Sequence, residues 1–481
     1  MTRAIAPALV ALLVLPLTMT LGCSDDSAND ESGSVGADED VPLVYAFDSR
    51  FTEGSSVAYS GQTFRQVLVH SLKEEMSAIQ DEIAAQTVFE DGEVAARLYF
   101  YYRFDSASSG DIPHLLSTSP LPLQSTWNDI SSDKDLVAKV AGNDETGQHK
   151  DWSSEMVGWD AAANPDDLIV QWIEAVDDLA VAYSLQPPMD PNGAQIEKFY
   201  ISPEGLDYQQ LIQKFLLGAV NFSQGADDYL DDDIEGKGLL SDNTEPVEGK
   251  PYTALEHQWD EGFGYWGGAV NYLDYTDDEL AAADGRAEYV NGYNDLDGDG
   301  AIDLGSEFNF GASVNAAKRD LGAASSALTD MSHDTMTAFL TGRHIIAMAD
   351  GALSEAQLDA LREQRDAALL GWEQALAATA IHYFNDCIKD TNAAEYSFTD
   401  HTKHWGELKG FLLSLQFNPH SPLGDETLAM IHDLVGTAPV FPSDPNVTDY
   451  LANLLIARDL LAAAYGFDAA NIGDENGENG W

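Results

Sequence analysis

Apolar residues recur every three or four positions along most of the chain, which is the period of helices that bury one face. The first such face follows Gly61 and contains Phe64, Val67, Leu68, Leu72, Met76, Ile79 and Ile83. A second helix is expected to begin at Ser202-Pro203, because Ser is a good N-cap and Pro fits the first turn. Thr253 and Glu256 have the spacing of a capping box and predict a third helix. Similar patterns predict helices over about 312–348, 354–388, 400–416, 424–435 and 446–464.

Signals for β-strands are few. Residues 43–47 place larger apolar side chains at alternate positions, which suggests an extended segment. Residues 104–135 and 186–201 are rich in Ser, Pro, Asp and Gly, a composition typical of long loops. The pattern therefore predicts an all-α fold, a helical bundle with long irregular loops.

Two segments share the pattern Trp-x-Glu-x-x-Gly-aromatic, with a histidine just upstream of each. The aligned pairs are Trp259 with Trp405, Glu261 with Glu407, Gly264 with Gly410 and Tyr265 with Phe411. Their separation is too long for a solenoid repeat. It predicts instead one helical domain, residues 42–470, built from two related halves that cover roughly 42–275 and 305–470.

The histidines and acids of this repeat are spaced to share helix faces. His257 and Glu261 are four residues apart, and His404 and Glu407 are three apart. Together with Asp260 they are candidate ligands for a transition metal such as Fe or Zn, or for a small ligand, and the pairs also suit acid–base chemistry. A pseudo-twofold axis between the halves would bring both pairs to one pocket. The alternative is that the polar groups pair locally and that Trp and Gly only pack.

Residues 295–307 resemble an EF-hand calcium loop. The candidate ligands are Asp295, Asp297, Asp299, the carbonyl of Ala301, Asp303 and Glu307. Gly300 allows the sharp turn, and Ile302 is placed to anchor the loop to the core. Ser306 stands where an EF-hand has its bidentate glutamate, and no entering helix is evident. The pattern favours a structural Ca²⁺ site in a single loop, and the alternative is an acidic, solvated turn.

The net charge of the chain indicates which classes of partner it can bind. The chain has 481 residues, with 82 Asp+Glu against 23 Lys+Arg, and a formal net charge of −59. This balance argues against nucleic acid as a partner, because such binding needs clustered Lys and Arg. It suits divalent cations and solubility in salt. Hydrophobic residues make up 44% of the chain, enough for a sizeable core, and two cysteines provide no disulfide framework.

The N-terminus has the features of an export signal. Residues 1–22 contain Arg3 and then a short apolar run that ends at Gly22-Cys23, which resembles a bacterial lipobox. The resemblance implies cleavage before Cys23 and lipidation of its thiol, and an ordinary secretory signal is the alternative. Residues 23–41 are small, polar and acidic and predict a flexible tether, while residues 471–481 predict a disordered tail. We expect a lipid-anchored protein of the cell envelope, in the outer membrane, on its periplasmic face or at the cell surface.

Three stretches carry a resemblance to a known family: residues 45–63, 257–265 and 415–418. They are similar to bacterial lipoproteins known only as domain-of-unknown-function family 4856, and the resemblance covers most of residues 42–465. That family resembles imelysin-like proteins, helical-bundle lipoproteins of bacterial envelopes that are linked to iron uptake. The resemblance implies an imelysin-like bundle and a role in iron acquisition. Imelysins carry a Gly-x-His-x-x-Glu motif first interpreted as metallopeptidase-like, whereas here Thr402 stands at the glycine position before His404, and Asp260 at the glutamate position after His257.

These features predict an envelope-anchored, metal-associated binding protein with a structural calcium loop, and the family resemblance alone implies that it serves iron acquisition. Its partners would be a membrane, through the lipid anchor, a metal ion or small ligand, and uptake proteins of the envelope. No residue is assigned a catalytic role. Two alternatives stay open: an imelysin-type metallohydrolase that uses the paired His and Glu residues, and a calcium-stabilised adhesion or interaction module.

Overall fold

The fold is built from α-helices, as the sequence predicts. The computed structural model describes residues 41–144, 148–160 and 162–481, and within these ranges it has isolated β-bridges but no β-strand. The predicted signal peptide, nearly all of the tether and the lipidation site Cys23 lie outside the described residues. In the described part of the chain, no helix has both the length and the apolar character that a membrane span needs.

The helices are α1 (Ser60–Ala84), α2 (Glu93–Tyr102), α3 (Ser106–Ser109), α4 (Trp127–Ile130), α5 (Pro165–Leu185), α6 (Tyr208–Leu216), α7 (Ala254–Trp266), α8 (Asp277–Leu280), α9 (Gly311–Leu321), α10 (Met331–Met348), α11 (Glu355–Asn392), α12 (Phe398–Ser414), α13 (Asp425–Val435), α14 (Val447–Tyr465) and α15 (Ala469–Ile472). Short 3₁₀ turns cover Val137–Lys139, Gly238–Leu240 and Tyr272–Asp274.

Helices with clear caps begin where the sequence predicts. The capping box of α7 is complete, because Thr253 Oγ1 accepts from the Glu256 amide at 3.2 Å and Glu256 Oε2 accepts from the Thr253 amide at 2.8 Å. Helices α11 to α14 lie within a few residues of the predicted ranges. The pattern over 312–348 corresponds to two helices, α9 and α10, separated by residues 322–330.

Other boundaries differ from the prediction. Ser202-Pro203 lies in a turn, and α6 begins only at Tyr208, because the Asp207 side chain caps it by accepting from the Gln210 amide. Residues 43–47 form no strand: Tyr45 and Phe47 point into the core, as the alternation suggests, but the segment has no strand partner. Helices α2 and α5 were not predicted, although Asn164 as N-cap and Pro165 at the first turn mark the start of α5.

Helix α6 continues into two π-helical segments, Leu217–Phe222 and Gly225–Tyr229. We call this rod, residues 208–229, the spine. Every residue from 215 to 231 is buried, and the spine packs against α1, α5, α7 and α12. Glycines allow the close approach: a Cβ at Gly218 would lie 2.3 Å from the Ser414 hydroxyl, and one at Gly225 would lie 2.8 Å from the Trp372 ring.

Residues 471–481 are folded, which corrects the predicted disordered tail. Trp481 is buried, its indole Nε1 donates to the Arg319 carbonyl at 2.8 Å, and its ring meets Phe467 edge to face. The Asn385 side chain donates to the Ile472 carbonyl at 2.9 Å. The prediction used the polar, Gly-rich composition of this segment and gave no weight to Trp481, whose aromatic side chain anchors it.

A buried ion-pair network joins α10 and α7 to the chain that precedes α1. Arg343 of α10 is fully buried, and its guanidinium donates to Asp260 at 2.9 Å, to Glu256 at 3.3 Å and to the Ser56 hydroxyl at 2.7 Å. Asp260 also accepts from the Tyr45 hydroxyl at 2.9 Å and from the Ala58 amide at 3.1 Å. Burial opposes the charge on Arg343, but the attraction of Asp260 and Glu256 outweighs it and raises the pKa of the guanidinium.

We expect Arg343→Met to lower the free energy of unfolding by about 3–5 kcal/mol, because it leaves the buried Asp260 without a counter-charge and Glu256 with Arg50 alone, at 3.6 Å. Urea unfolding at neutral pH measures this loss. The matched control is Arg362→Met, which breaks the partly exposed pairs of Arg362 with Asp232 and Asp359 and should cost at most about 1 kcal/mol. Equal losses in the two variants would show that the buried network contributes no more to the free energy of unfolding than an exposed ion pair does.

A second buried carboxyl predicts how stability depends on pH. Glu373 of α11 accepts from the Asn418 amide group at 2.7 Å and from the Ser421 hydroxyl at 2.6 Å, and burial raises its pKa to about 7. The folded state therefore holds this proton more tightly than the unfolded chain. The stabilisation that results is complete below about pH 4.3, the unfolded pKa, and is lost as pH rises to 7.

We expect Glu373→Gln, which cannot titrate, to flatten the decline of stability between about pH 4.3 and 7. Thermal melts across this interval test it, with Glu426→Gln at an exposed position of α13 as the control. A decline as steep in Glu373→Gln as in the wild type would contradict the assignment.

Candidate metal and ligand sites

The loop 295–307 turns tightly at two glycines that have left-handed backbone angles. It lies between Tyr293 and Phe308, which form an isolated antiparallel bridge and stack their rings. Gly298 and Gly300 have φ angles of 75° and 91°, a conformation that glycine adopts without strain. Ile302 is fully buried. Its amide and carbonyl pair with Leu121 and Leu123 at 3.0 and 2.8 Å, so the predicted anchor is also held through its backbone.

Three of the predicted calcium ligands come together in this loop. One carboxylate oxygen from each of Asp295, Asp297 and Asp299 lies within 4.8 Å of the others. Backbone amides orient the first of them: Gly298 donates to Asp295 Oδ1 at 2.7 Å, and Gly300 donates to Asp295 Oδ2 at 2.9 Å. The Asp299 amide donates to Asp297 at 3.0 Å and the Ala301 amide to Asp299 at 2.8 Å. The carboxylates are therefore held close by the backbone, and a cation bound between them would offset their repulsion.

The other two predicted acidic ligands close the loop through hydrogen bonds. Glu307 is buried, which raises its pKa, and it accepts from the amides of Leu296 and Asp303 at 2.7 Å each. Asp303 accepts from the Gln124 amide group at 2.8 Å and from the Ser306 hydroxyl at 2.8 Å. These contacts fix the end of the loop, and neither residue belongs to the group of three.

A cavity of about 510 Å³ lies against the end of this loop. Asp303, Gly305 and Ser306 form one wall, and residues between 45 and 60 form the other. The position of this wall thus depends on the conformation of the loop 295–307.

His257 and Glu261 share a face of α7, as their spacing predicts. His257 Nε2 lies 3.8 Å from Glu261 Oε1. The other ring nitrogen, Nδ1, contacts the Ala58 carbonyl at 3.0 Å, and the ring stacks on Tyr252. Gln62 of α1 donates to Glu261 at 2.8 Å. One imidazole nitrogen and one carboxylate oxygen are near each other here. His257 also contacts the segment that leads into α1, and Glu261 contacts α1 itself.

His404 and Glu407 of α12 have separate partners. His404 Nδ1 pairs with Asp390 at 2.7 Å. Burial would lower the pKa of His404, but Asp390 outweighs it and raises the pKa. Glu407 is buried and lies 3.4 Å from Lys214 of the spine. The second pair is therefore split between two local ion pairs.

The structure does not bring the two pairs to one pocket, which corrects that expectation. Helix α7 packs mainly on α1, α10 and the second π segment, whereas α12 packs mainly on α6, α11 and the first π segment. The motif glycines show the difference: a Cβ at Gly264 would lie 2.7 Å from Tyr59, and one at Gly410 would lie 2.6 Å from Lys214. Trp259 and Trp405 are both fully buried. The shared pattern thus describes two similar packing arrangements, each on a different neighbouring helix.

Asp260, the third candidate ligand of the repeat, lies in the buried network of Arg343. Its two oxygens are taken by Arg343, Tyr45 and the Ala58 amide. A carboxylate that is buried and paired in this way stabilises the fold, so its expected role as a ligand is corrected to a structural one.

Two further acidic groups were missed by the sequence analysis. Asp231 and Asp232 lie near His420, but Arg362 and Arg365 pair with Asp232 and already compensate its charge. The triplet 231–233 was the signal in the sequence, and the distant His420 could not be assigned to it.

The second missed group is Asp91, Asp177 and Asp178. Asp177 lies on α5 and accepts from the amides of Gly92, Val94 and Ala95 at 2.7–2.8 Å. It therefore caps α2 from a neighbouring helix, a relation that no local spacing could predict.

Comparison with known proteins supports the resemblance seen in the sequence. Residues 190–430 match a family described as Domain of unknown function (DUF4856). Searches of curated proteins and of solved structures gave no match. The matched stretch is about half of the chain and contains the spine, both copies of the Trp-x-Glu-x-x-Gly pattern and the loop 295–307. The chain belongs to the DUF4856 family.

Proposed function

We propose that this chain is a lipid-anchored binding protein of the bacterial cell envelope whose loop 295–307 holds a structural Ca²⁺ ion. The observation that carries the calcium part is the convergence of Asp295, Asp297 and Asp299 on a turn built with left-handed glycines. Carboxylate and carbonyl oxygens are the ligands that Ca²⁺ prefers, and Ala301 supplies a carbonyl at the position where EF-hand loops use one.

A bound Ca²⁺ would act on more than the loop itself. The loop pairs with residues 121–123 through Ile302, and it is followed directly by Phe308–Phe310 and α9. By neutralising the three carboxylates, the ion would hold these segments and one wall of the 510 Å³ cavity in place. This cavity is the binding cleft that we assign to the protein.

The proposed iron link depends on the resemblance to imelysin-like proteins rather than on ligand geometry. Each His/Glu pair has few atoms free to bind a metal, because His257 contacts the Ala58 carbonyl and His404 pairs with Asp390. A transition-metal site built from His257, Glu261, His404 and Glu407 together would need α7 and α12 to face one another. We therefore favour a binding role over a metallohydrolase.

The calcium proposal predicts a thermal shift. Ca²⁺ should raise the melting temperature of the wild-type protein, and a hundredfold excess over Kd corresponds to about 2.7 kcal/mol of stabilisation. Asp297→Asn should abolish the gain, because it removes a ligand charge while an amide oxygen can still accept from the Asp299 amide. Differential scanning calorimetry in calcium and after chelation measures both.

The matched control is Asp91→Asn, in the acidic group whose central member, Asp177, is already bonded to backbone amides. This variant should keep the full calcium shift, and Mg²⁺ at equal ionic strength should give a smaller one. A wild-type melting curve that is the same in calcium and in chelator would refute the site.

The anchor proposal predicts that the protein partitions into the detergent phase and that Cys23→Ser moves it to the aqueous phase, because the thiol of Cys23 is the site of acylation. Phase separation of cell extracts followed by immunoblotting measures this. Cys387→Ser is the control, since Cys387 is a buried free thiol of α11 and carries no lipid in this proposal. Detergent partitioning that persists in Cys23→Ser would exclude the lipobox.

A further inference from the structure

A second cavity, of about 290 Å³, has a charge opposite to that of the protein as a whole. It lies where α1, the spine and α9 meet, and its lining includes Lys73, Lys214 and Lys318. Among the described residues that line it there is no aspartate or glutamate. In a chain with 82 acidic and 23 basic residues, three lysines on one cavity run against the composition. This concentration of positive charge needs a physical reason.

Two of these lysines form no ion pair in the described part of the chain, although Asp207 interacts with the charge of Lys73 and Glu407 with that of Lys318. Lys214 lies 3.4 Å from Glu407 and donates to Gln213 at 3.1 Å. Lys73 is half-buried and Lys318 is exposed, and neither forms an ion pair or a side-chain hydrogen bond within the described ranges. Several other cations of the chain are held in ion pairs with acids, as Arg343 and Arg365 are.

The three ammonium groups act on one another. Burial lowers the pKa of Lys214 to about 8, with Glu407 opposing and with Lys73 and Lys318 adding to the decrease. The neighbouring carboxyl Asp207 is buried, which raises its pKa to about 7, and it does not line the cavity. Like charges around one space repel, and an anion between them would replace repulsion by charge-assisted hydrogen bonds.

The start of α9 adds positive potential to the same space. Phe310, Gly311 and Val314 line the cavity, and α9 begins at Gly311 without a side-chain cap. The first amides of an uncapped helix and the positive end of its dipole favour an anion. Backbone and side chains from three elements therefore point to the same kind of ligand.

We propose that this cavity binds a small ligand through a multiply charged oxyanion group of the phosphate class. Lysine binds phosphate as a point charge, and three lysines from three helices enclose such a group from several sides. The net charge of −59 repels anions at long range, so only a ligand that meets several lysines at once is retained. The cavity is lined in addition by the apolar residues Val69, Leu217, Phe308 and Val314, which suit the organic part of a phosphate ester. The proposal does not depend on calcium or on the lipid anchor.

Isothermal titration with inorganic phosphate and with phenyl phosphate tests this, in calcium-free buffer at constant ionic strength. We expect saturable binding to the wild type and at least tenfold weaker binding to the double variant Lys73→Gln/Lys318→Gln. The control Lys403→Gln, an exposed lysine of α12, should bind as the wild type does. Tighter binding of phenyl phosphate assigns an ester as the ligand, and equal affinity assigns the free anion. Dissociation constants weaker than about 10 mM for both probes, or equal affinity in the double variant, would overturn the proposal.

A stability measurement separates a ligand site from a structural role for the lysines. Without an anion, Lys73→Gln should raise the melting temperature, because it relieves repulsion among the three ammonium groups. With phosphate present, the variant should gain less stability than the wild type. A structural lysine would instead lower the melting temperature in both conditions, and that result would also overturn the proposal.

Discussion

The arrangement of the fold depends on one buried charge, the guanidinium of Arg343. It bonds to Asp260 and Glu256 of α7 and to Ser56 of the segment that precedes α1, and it is shut off from solvent. An arginine in this position must satisfy its donors within the protein, so its bonds favour the relative orientation in which the three elements are found. The residue before it, Gly342, shows how tight the assembly is, since a Cβ there would lie 2.0 Å from the Trp259 ring.

The same constraint explains how so acidic a chain keeps a dry core. Where carboxylates are buried, they are either matched to one of the few cations, as Asp260 is to Arg343, or bonded to backbone amides, as Asp177 and Glu307 are. Glu373 shows a third solution, a carboxyl that burial keeps protonated up to about pH 7. The lysines around the 290 Å³ cavity differ from these matched pairs, because three cations share one space and no acid is among the described residues that line it.

The sequence predicts a local structure correctly where a few neighbouring residues determine it. The capping box of Thr253 and Glu256 sets the start of α7, and the spacing of aspartates and glycines in 295–307 gave the turn and the group of three carboxylates. The sequence does not predict which distant segments pack on one another. Periodicity shows that His257 and His404 lie on helix faces, but it does not show which helix each face meets. The prediction that they converge on one pocket was therefore wrong. Lys73, Lys214 and Lys318 lie far apart in sequence and have no pattern in common, so their cavity becomes visible only in three dimensions.

The spine has a consequence for how relatives of this protein can be recognised. From Phe215, within the spine, to Asp231, just after its end, every residue is buried, so this part of the chain has no outward position at which exchange is free. Its π turns place more residues in each turn than an α-helix does, and losing a single residue would rotate everything after it. Surface loops tolerate drift in length and composition, whereas this stretch tolerates neither. The string from Phe215 to Asp231 should therefore change most slowly over evolutionary time, and it is the natural probe for distant members of the family.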